Sequence, residues 1–282
     1  MPLYMDGNNV SVFSKLIVEG GSGGSEKYGA TANTFLGDVN DSGVLYPATE
    51  ESDVVFTGVK DVRFRTLYYV FREKNIKSLT FPDATQMSGS ECCHTMCENC
   101  EKLQTISFPE LITLSGQTAF RMCFNGCENL TSINFPKLEA ITGNQACYNM
   151  FKGCEALTSV EFPELTTISG SQACYGMFNG CISLRTVSFP KLSTLSGSNC
   201  LTYLCQSCNY IEHIYFNALN TSSFGSTTGQ LNNLIMSTSN YVTHTIHFPS
   251  NMENTIKGLS GYPNFGGTSG YVVLAFDLPA TS

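Results

Sequence analysis

GCENLTSINFP (Gly126–Pro136) is followed 27 residues later by GCEALTSVEFP (Gly153–Pro163), with apolar letters at the same places. The closing Phe-Pro recurs at Phe81, Phe108, Phe135, Phe162 and Phe189, in steps of 27 without insertion. Phe216 keeps the phase with Asn217 in place of proline, and Phe248-Pro249 follows after 32 residues. Five residues before each Phe stand Ile76, Leu103, Leu130, Leu157, Leu184 and Ile211. Two before it stand Leu79, Ile106, Ile133, Val160, Val187 and Ile214, and three after it Ala84, Leu111, Leu138, Leu165, Leu192 and Leu219. Eight after it comes a glycine in five successive units: Gly89, Gly116, Gly143, Gly170 and Gly197. A fixed period of this length is the mark of a stacked repeat.

The local chemistry of one unit follows from its letters. TISF (Thr105–Phe108) alternates apolar and polar residues, which predicts a short strand with one buried face. Proline then removes a backbone donor and ends the ladder. Ser-Gly supplies a turn, since glycine tolerates positive φ. In A-C-x-x-M-F the apolar residues stand three and four apart, which predicts a short helical turn with one inward face. One unit cannot bury its own apolar face, so units must stack. The result is a solenoid with a parallel sheet along one side, rising about 4.8 Å per turn.

Composition narrows the partners. Of 282 residues only 13% are charged, so Ser, Thr, Asn, Gln and Gly must cover much of the surface. The net charge is −8 and Lys and Arg form no cluster, which argues against nucleic acid and anionic membrane as main partners. No run of about 18 apolar residues exists to insert into a membrane. MPLYMDGNNV at the start lacks the basic and apolar regions of a signal peptide, so export by that route requires a leader removed earlier. The default for thirteen cysteines without a leader is reduced thiols.

The G-C-x-x-L-x-x-V-x-F-P run, with A-C-Y-x-M-F before it, resembles the BspA-like leucine-rich repeats of bacterial surface proteins. The resemblance covers roughly residues 54 to 220, in five in-phase units. It implies a right-handed α/β leucine-rich-repeat solenoid with N- and C-terminal caps. The unit here is a few residues longer than the family's common form, so its outer turn should differ.

Around the repeats of 76–220, residues 1–28 read as an N-terminal segment with the flexible linker GGSGGS (Gly20–Ser25). That linker satisfies the G-x-S-x-G nucleophile pattern, but no strand and helix flank it and no triad is evident. Residues 29–75 read as a hairpin around Asp41-Ser42-Gly43 and a degenerate capping repeat containing LYYVF (Leu67–Phe71). Residues 221–282 read as a C-terminal cap. Within it VTHTIHFP and GYVVLAFDLP are strands, and a short helix lies near Asn251–Gly258.

ECCHTMCENC (Glu91–Cys100) is the densest chemical feature, and in isolation its thiols and histidine suggest a zinc or iron–sulfur site. Phase argues otherwise. Nineteen residues after each Phe stand Cys100, Cys127, Cys154, Cys181 and Cys208. Twelve after it come Cys93, Phe120, Cys147, Cys174 and Leu201, and sixteen after it Cys97, Phe124, Phe151, Phe178 and Cys205. Positions where cysteine alternates with Phe and Leu are apolar slots, and free cysteine is a small buried hydrophobe. The parallel stack points neighbouring Cβ atoms the same way, which suits disulfides poorly. His94 aligns with Arg121, Tyr148, Tyr175 and Thr202, the profile of an outward position. His244 and His247, three apart on a strand, fall on opposite faces and make a poor ligand pair. DVNDSG (Asp38–Gly43) resembles the opening of a calcium loop, yet Ser42 and Thr49 occupy its fifth and twelfth positions, so a hairpin turn is preferred. No cofactor, metal site or catalytic residue is indicated.

Two surfaces remain as candidates. Outward strand positions carry small hydroxyls together with Asn134 and Glu161, and end in His213 and Tyr215. The outer turns carry Arg121, Tyr148, Tyr175 and Tyr203, and exposed tyrosine favours interfaces. Either is equally a solvated face of a stack. Charges two residues past each Phe run Asp83, Glu110, Lys137, Glu164, Lys191, an alternation that pairs neighbouring turns. The resemblance implies a non-catalytic adhesion or recognition protein with a protein or glycan partner at a bacterial cell surface, or secreted. The alternative is a phage or prophage tail protein, resident in a virion, whose residues 1–28 attach to it or form a homo-oligomer. A metal-binding or enzymatic protein is the weakest reading.

Overall fold

The structure, a computed structural model, describes residues 15–20, 25–28, 52–57, 60–62, 67–220, 222–224, 229–235, 243–259 and 272–280. Three backbone ladders run along its stack of coils. The front ladder is built from Ile76–Thr80, Thr105–Ser107, Ser132–Asn134, Ser159–Glu161, Thr186–Phe189 and His213–Phe216, and extends through His244–Pro249 and Val272–Leu278. Its strands are parallel, with Leu79 beside Ile106, Ile106 beside Ile133, and Val187 beside Ile214. The side ladder joins Gln86–Met87, Thr113–Leu114, Ala140–Ile141, Thr167–Ile168 and Thr194–Leu195. Alternation puts each Ile or Val and each Phe inward. The Phe rings form a column, for example Phe81–Phe108 at 4.9 Å and Phe189–Phe216 at 5.5 Å between centroids. Burying such a ring stabilises the stack by about 2–3 kcal/mol, and one coil alone could not bury it.

The third ladder corrects the expected α component. The outer arm of each coil is a run of overlapping tight turns, not a helix. Ala119, Arg121, Cys123 and Asn125 donate their N–H groups three residues back, to Gly116, Thr118, Phe120 and Met122. The alternate residues donate across to the next coil, as in Thr118 to Asn144 (2.8 Å), Phe120 to Ala146 (2.7 Å) and Met122 to Tyr148 (2.9 Å). Every fourth residue takes positive φ, here Thr118 (52°), Met122 (52°) and Gly126 (73°). A helix is about 10 Å across, so helical arms meet strands of roughly 4.8 Å pitch only by splaying the outer side of the stack, whereas these turns bond directly to the next coil and keep its pitch. Among the described residues, helix is confined to Ser250–Met252 and Glu253–Lys257.

The repeated Ser-Gly also has a different cause from the one expected. Gly116, Gly143, Gly170 and Gly197 do not adopt positive φ. They lie against one another along the stack, so that a Cβ on Gly143 would sit 2.2 Å from the Gly116 carbonyl oxygen. Close backbone approach selects glycine there.

At the N-terminal end Ser52–Thr57 pairs in parallel with Ile76–Thr80 and antiparallel with Lys15–Gly20, which in turn pairs antiparallel with Ser25–Tyr28. The run GGSGGS (Gly20–Ser25) stands between these last two strands in the sequence. The hairpin and calcium-loop readings at Asp38–Gly43 lie outside the described residues.

The front ladder has one interruption. Ser132–Asn134 and Ser159–Glu161 belong to separate sheets, and the Phe135 and Phe162 rings between them are 6.2 Å apart and tilted by 29°. The two coils stay joined through Ala140–Ile141 with Thr167–Ile168, and through the outer arms.

Candidate functional site

The thiols of Glu91–Cys100 are packed in the core. All thirteen cysteines are free and buried, and no group of three His, Cys, Asp or Glu side chains among the described residues is arranged to hold a metal. The cysteine present in every unit ties its coil to the one before, donating its Sγ–H to a backbone carbonyl there. Cys100 reaches Phe71 (2.8 Å), Cys127 reaches Cys97 (3.1 Å), Cys181 reaches Phe151 (3.1 Å) and Cys208 reaches Phe178 (2.9 Å). Burial pushes the Cys97, Cys127, Cys154, Cys181 and Cys208 thiols well above their ordinary range. Cys174 is raised first by its hydrogen bond with Cys147 and then by burial. Such thiols are poor nucleophiles. His94 lies on the outer arm away from them, half-buried rather than exposed, with the Tyr68 ring edge-on at 5.0 Å.

The outer patch forms a continuous column. The Arg121 guanidinium lies 4.7 Å over the Tyr148 ring and donates to Gln145 Oε1 at 2.7 Å. Tyr148 and Tyr175 stack at 4.8 Å and 2°, and Tyr203 meets Tyr175 edge-on at 5.2 Å. Burial, followed by the neighbouring Tyr148 and Tyr203 hydroxyls, raises the Tyr175 phenol. Because the rings of Tyr148 and Tyr175 cover one another, they offer edges to solvent and not faces. That arrangement stabilises the outer arm and is a poor sugar platform.

The front face carries the other candidates. Asn134 and Glu161 are exposed on the two strands flanking the interruption, and Asn134 Nδ2 donates to Ser107 Oγ (3.2 Å). Lys137 pairs with Glu110 (2.7 Å) and Lys191 with Glu164 (2.6 Å), as the charge alternation predicts, and Arg185 adds a third pair with Glu212 (2.6 Å). Each pair is exposed and fixes side chains more than it stabilises the fold.

His213 and Tyr215 are drawn into a cluster that no sequence pattern assembles. Tyr215 lies over His247, with centroids 4.4 Å apart and planes within 16°. His213 Nδ1 is 3.0 Å from His247 Nε2, and His247 Nδ1 is 2.9 Å from both Asp277 carboxylate oxygens. His244 faces inward, as parity requires, and is fully buried with Nδ1 against the Ile211 carbonyl (2.5 Å). His247 had a signal in the sequence: it precedes Phe248 as Tyr215 precedes Phe216. Asp277 had none, because the chain from Phe248 to the last strand breaks the 27-residue phase.

The architecture thus defines a class, a stacked-coil repeat protein with a parallel sheet along its front. A family profile described as BspA type leucine-rich repeat region matches residues 66–176 and 121–255 in six copies, and the chain belongs to that family. Among solved structures, a leucine-rich-repeat protein of T. pallidum matches at 15% identity and a TM-score of 0.32, covering 84% of this chain and 95% of that one. A leucine-rich cell surface protein of Faecalibacterium prausnitzii matches at 14% identity and a TM-score of 0.22, covering 73% and 74%. At those TM-scores neither lends this chain geometry or function. No curated protein matches.

Proposed function

We propose that this chain is a non-catalytic recognition protein at a bacterial surface, and that it docks a protein partner on its front face. Membership of the BspA-type family supports a binding role. The observation that carries the choice of face is the contrast between the two candidate surfaces. On the outer arms Tyr148 and Tyr175 cover one another and Arg121 is held by Gln145 and Tyr148, so these groups are already engaged. On the front, Ser132, Asn134, Ser159 and Glu161 are exposed on the two strands that flank the interruption, each paired to its neighbour on the other side, and the small Ser132 and Ser159 side chains lose little entropy on docking. No described helix is long and apolar enough to cross a membrane.

The test is a screen of the full chain against arrayed extracellular proteins and glycans, repeated with two double variants. Asn134→Arg with Glu161→Arg should abolish a protein hit, and Tyr148→Ala with Tyr175→Ala should spare it. A hit lost only in the tyrosine variant would move the interface to the outer arms, and hits confined to glycans would replace the partner class.

A further inference from the structure

Two coils carry a second cysteine in one outer turn, and they are the first and the last of the five in-phase coils. Sixteen residues after the front-strand Phe, the three middle coils place Phe124, Phe151 and Phe178, whose rings stack at 5.5 and 5.7 Å. The end coils place Cys97 and Cys205 there, three residues before the cysteine that every coil has. Cys97, Cys100, Cys205 and Cys208 are all fully buried. Each pair closes a single backbone turn: Cys100 N–H donates to the Cys97 carbonyl and Cys208 N–H to the Cys205 carbonyl, both at 3.2 Å. The third residues, Asn99 and Ser207, take positive φ (57° and 59°). Such a turn holds its first and fourth Cα atoms within about 7 Å, and a disulfide asks for about 4.4–6.8 Å. The thiols also meet, Cys97 with Cys100 and Cys205 with Cys208, in hydrogen bonds within each pair.

The other thiols in contact are placed differently. Cys92 and Cys93 are hydrogen-bonded neighbours in the chain, and adjacent Cα atoms stand only about 3.8 Å apart. Cys147 and Cys174 hydrogen-bond from the same place in neighbouring coils. Parallel stacking keeps their Cβ atoms roughly 4.8 Å apart, past the span of about 3.5–4.5 Å that a disulfide bridges. The column of Cys100, Cys127, Cys154, Cys181 and Cys208 meets the same obstacle. Position in the stack separates the two end pairs as well. Residues 67–73 cover the first, with Phe71 N–H on the Met96 carbonyl and Glu73 N–H on the Glu98 carbonyl. Cys205 N–H donates to the Leu234 carbonyl at 2.9 Å in the arm beyond the second. Each pair thus lies one arm in from a described end, where a repeat stack opens first.

We propose that Cys97 with Cys100 and Cys205 with Cys208 are two oxidisable pairs, which close as disulfides when the chain meets an external disulfide while the other nine cysteines stay thiols. The inference goes beyond the docking reading and does not depend on which face binds. Exchange begins while the covering arm is open, because burial raises the Cys97 and Cys208 thiols and suppresses the thiolate that attacks. One cysteine of the pair attacks the external disulfide, forms a mixed disulfide and releases one thiol. Its partner then displaces the second thiol and closes the turn. Each pair gives up two electrons and two protons, and the external disulfide takes them up as two thiols. Closure replaces the Sγ–H donated by Cys100 to Phe71 and by Cys208 to Phe178 with a covalent bridge across the turn. Such bridges persist at a cell surface and are reduced in a cytosol.

The probe is glutathione. The full chain is refolded from urea in a mixture of its oxidised and reduced forms, quenched with acid, alkylated with N-ethylmaleimide in acidic urea and mapped by mass spectrometry. Far-UV circular dichroism before the quench confirms the fold. The chain should lose four hydrogens, two for each bridge, and carry nine alkylated cysteines, with bridges at Cys97–Cys100 and Cys205–Cys208. Equilibration in urea without refolding should give a mixture of pairings. Cys97→Ser and Cys205→Ser should each remove one bridge and leave the other. Thirteen alkylated cysteines in the refolded chain, bridges between coils such as Cys147–Cys174, or the same mixture with and without refolding would overturn the proposal.

Discussion

Replacing Gly143 by alanine tests whether close packing of backbone, and not turn geometry, explains the glycine column. The new Cβ would stand 2.2 Å from the Gly116 carbonyl oxygen and 2.9 Å from that of Ser115, both backbone atoms of the preceding coil. No flexible side chain can yield, so the two coils must part by about 0.8 Å to restore a tolerable 3.0 Å contact. At that separation the bonds from Gly143 N–H (3.2 Å) and Thr142 N–H (2.9 Å) to the Leu114 carbonyl fail or weaken. Two such bonds and the overpacking strain sum to about 2–6 kcal/mol. Gly153→Ala is the control. Gly153 has φ +72°, but its nearest neighbours to a Cβ are 3.8 Å away, so only left-handed strain opposes the change. That costs about 1–2 kcal/mol, partly offset by the lower entropy of the unfolded alanine chain. For a chain of this length the expected drops in unfolding midpoint are roughly 3–10 °C for Gly143→Ala and 1–3 °C for Gly153→Ala. Far-UV circular dichroism during thermal and urea unfolding reads both. Equal shifts, or a larger one for Gly153→Ala, would refute the close-approach argument.

Alkali should destabilise the protein through its buried thiols. Burial holds the protons of Cys93, Cys123 and Cys154 more tightly in the fold than at the ordinary value of 9.0, so the stability they contribute is complete below about pH 9 and lost as pH rises beyond it. A urea midpoint that does not fall between about pH 8 and 10.5 would contradict this. Iodoacetamide should leave the thirteen thiols of the native chain unmodified by mass spectrometry and label them all in urea, and a chelator should leave the midpoint unchanged. A chelator-induced fall would return Cys97 and Cys100 to a metal. Lys191→Glu breaks the exposed 2.6 Å pair with Glu164 and should cost under about 1 kcal/mol, less at high salt. A larger, salt-independent loss would mean that the charge ladder holds the coils together.

The candidate surfaces were legible to different depths. Phase alone put Cys93, Cys97 and Cys100 among apolar slots, and the structure buries all three. The same phase set Tyr148 beside Tyr175, but whether the rings show faces or edges depends on how far apart the coils stand. His213 and Tyr215 were visible as the end of the outward row. Their partners His247 and Asp277 come from coils of unequal length, so no period connects them.

Coil length, the inward and outward side chains and the parallel stacking were all readable from the letters, because burial of apolar side chains writes a one-dimensional period into the chain. Whatever depends on the spacing between coils emerged only in three dimensions. The outer arms are tight turns with positive φ at every fourth residue, because their alternate N–H groups bond to the next coil instead of along a helix. The spacing between coils presses Gly143 onto Gly116 and sets the thiols under the carbonyls of the coil before. The break between Ser132–Asn134 and Ser159–Glu161, and the chain Asp277–His247–His213, are contacts between coils, and a repeat in one dimension does not encode them.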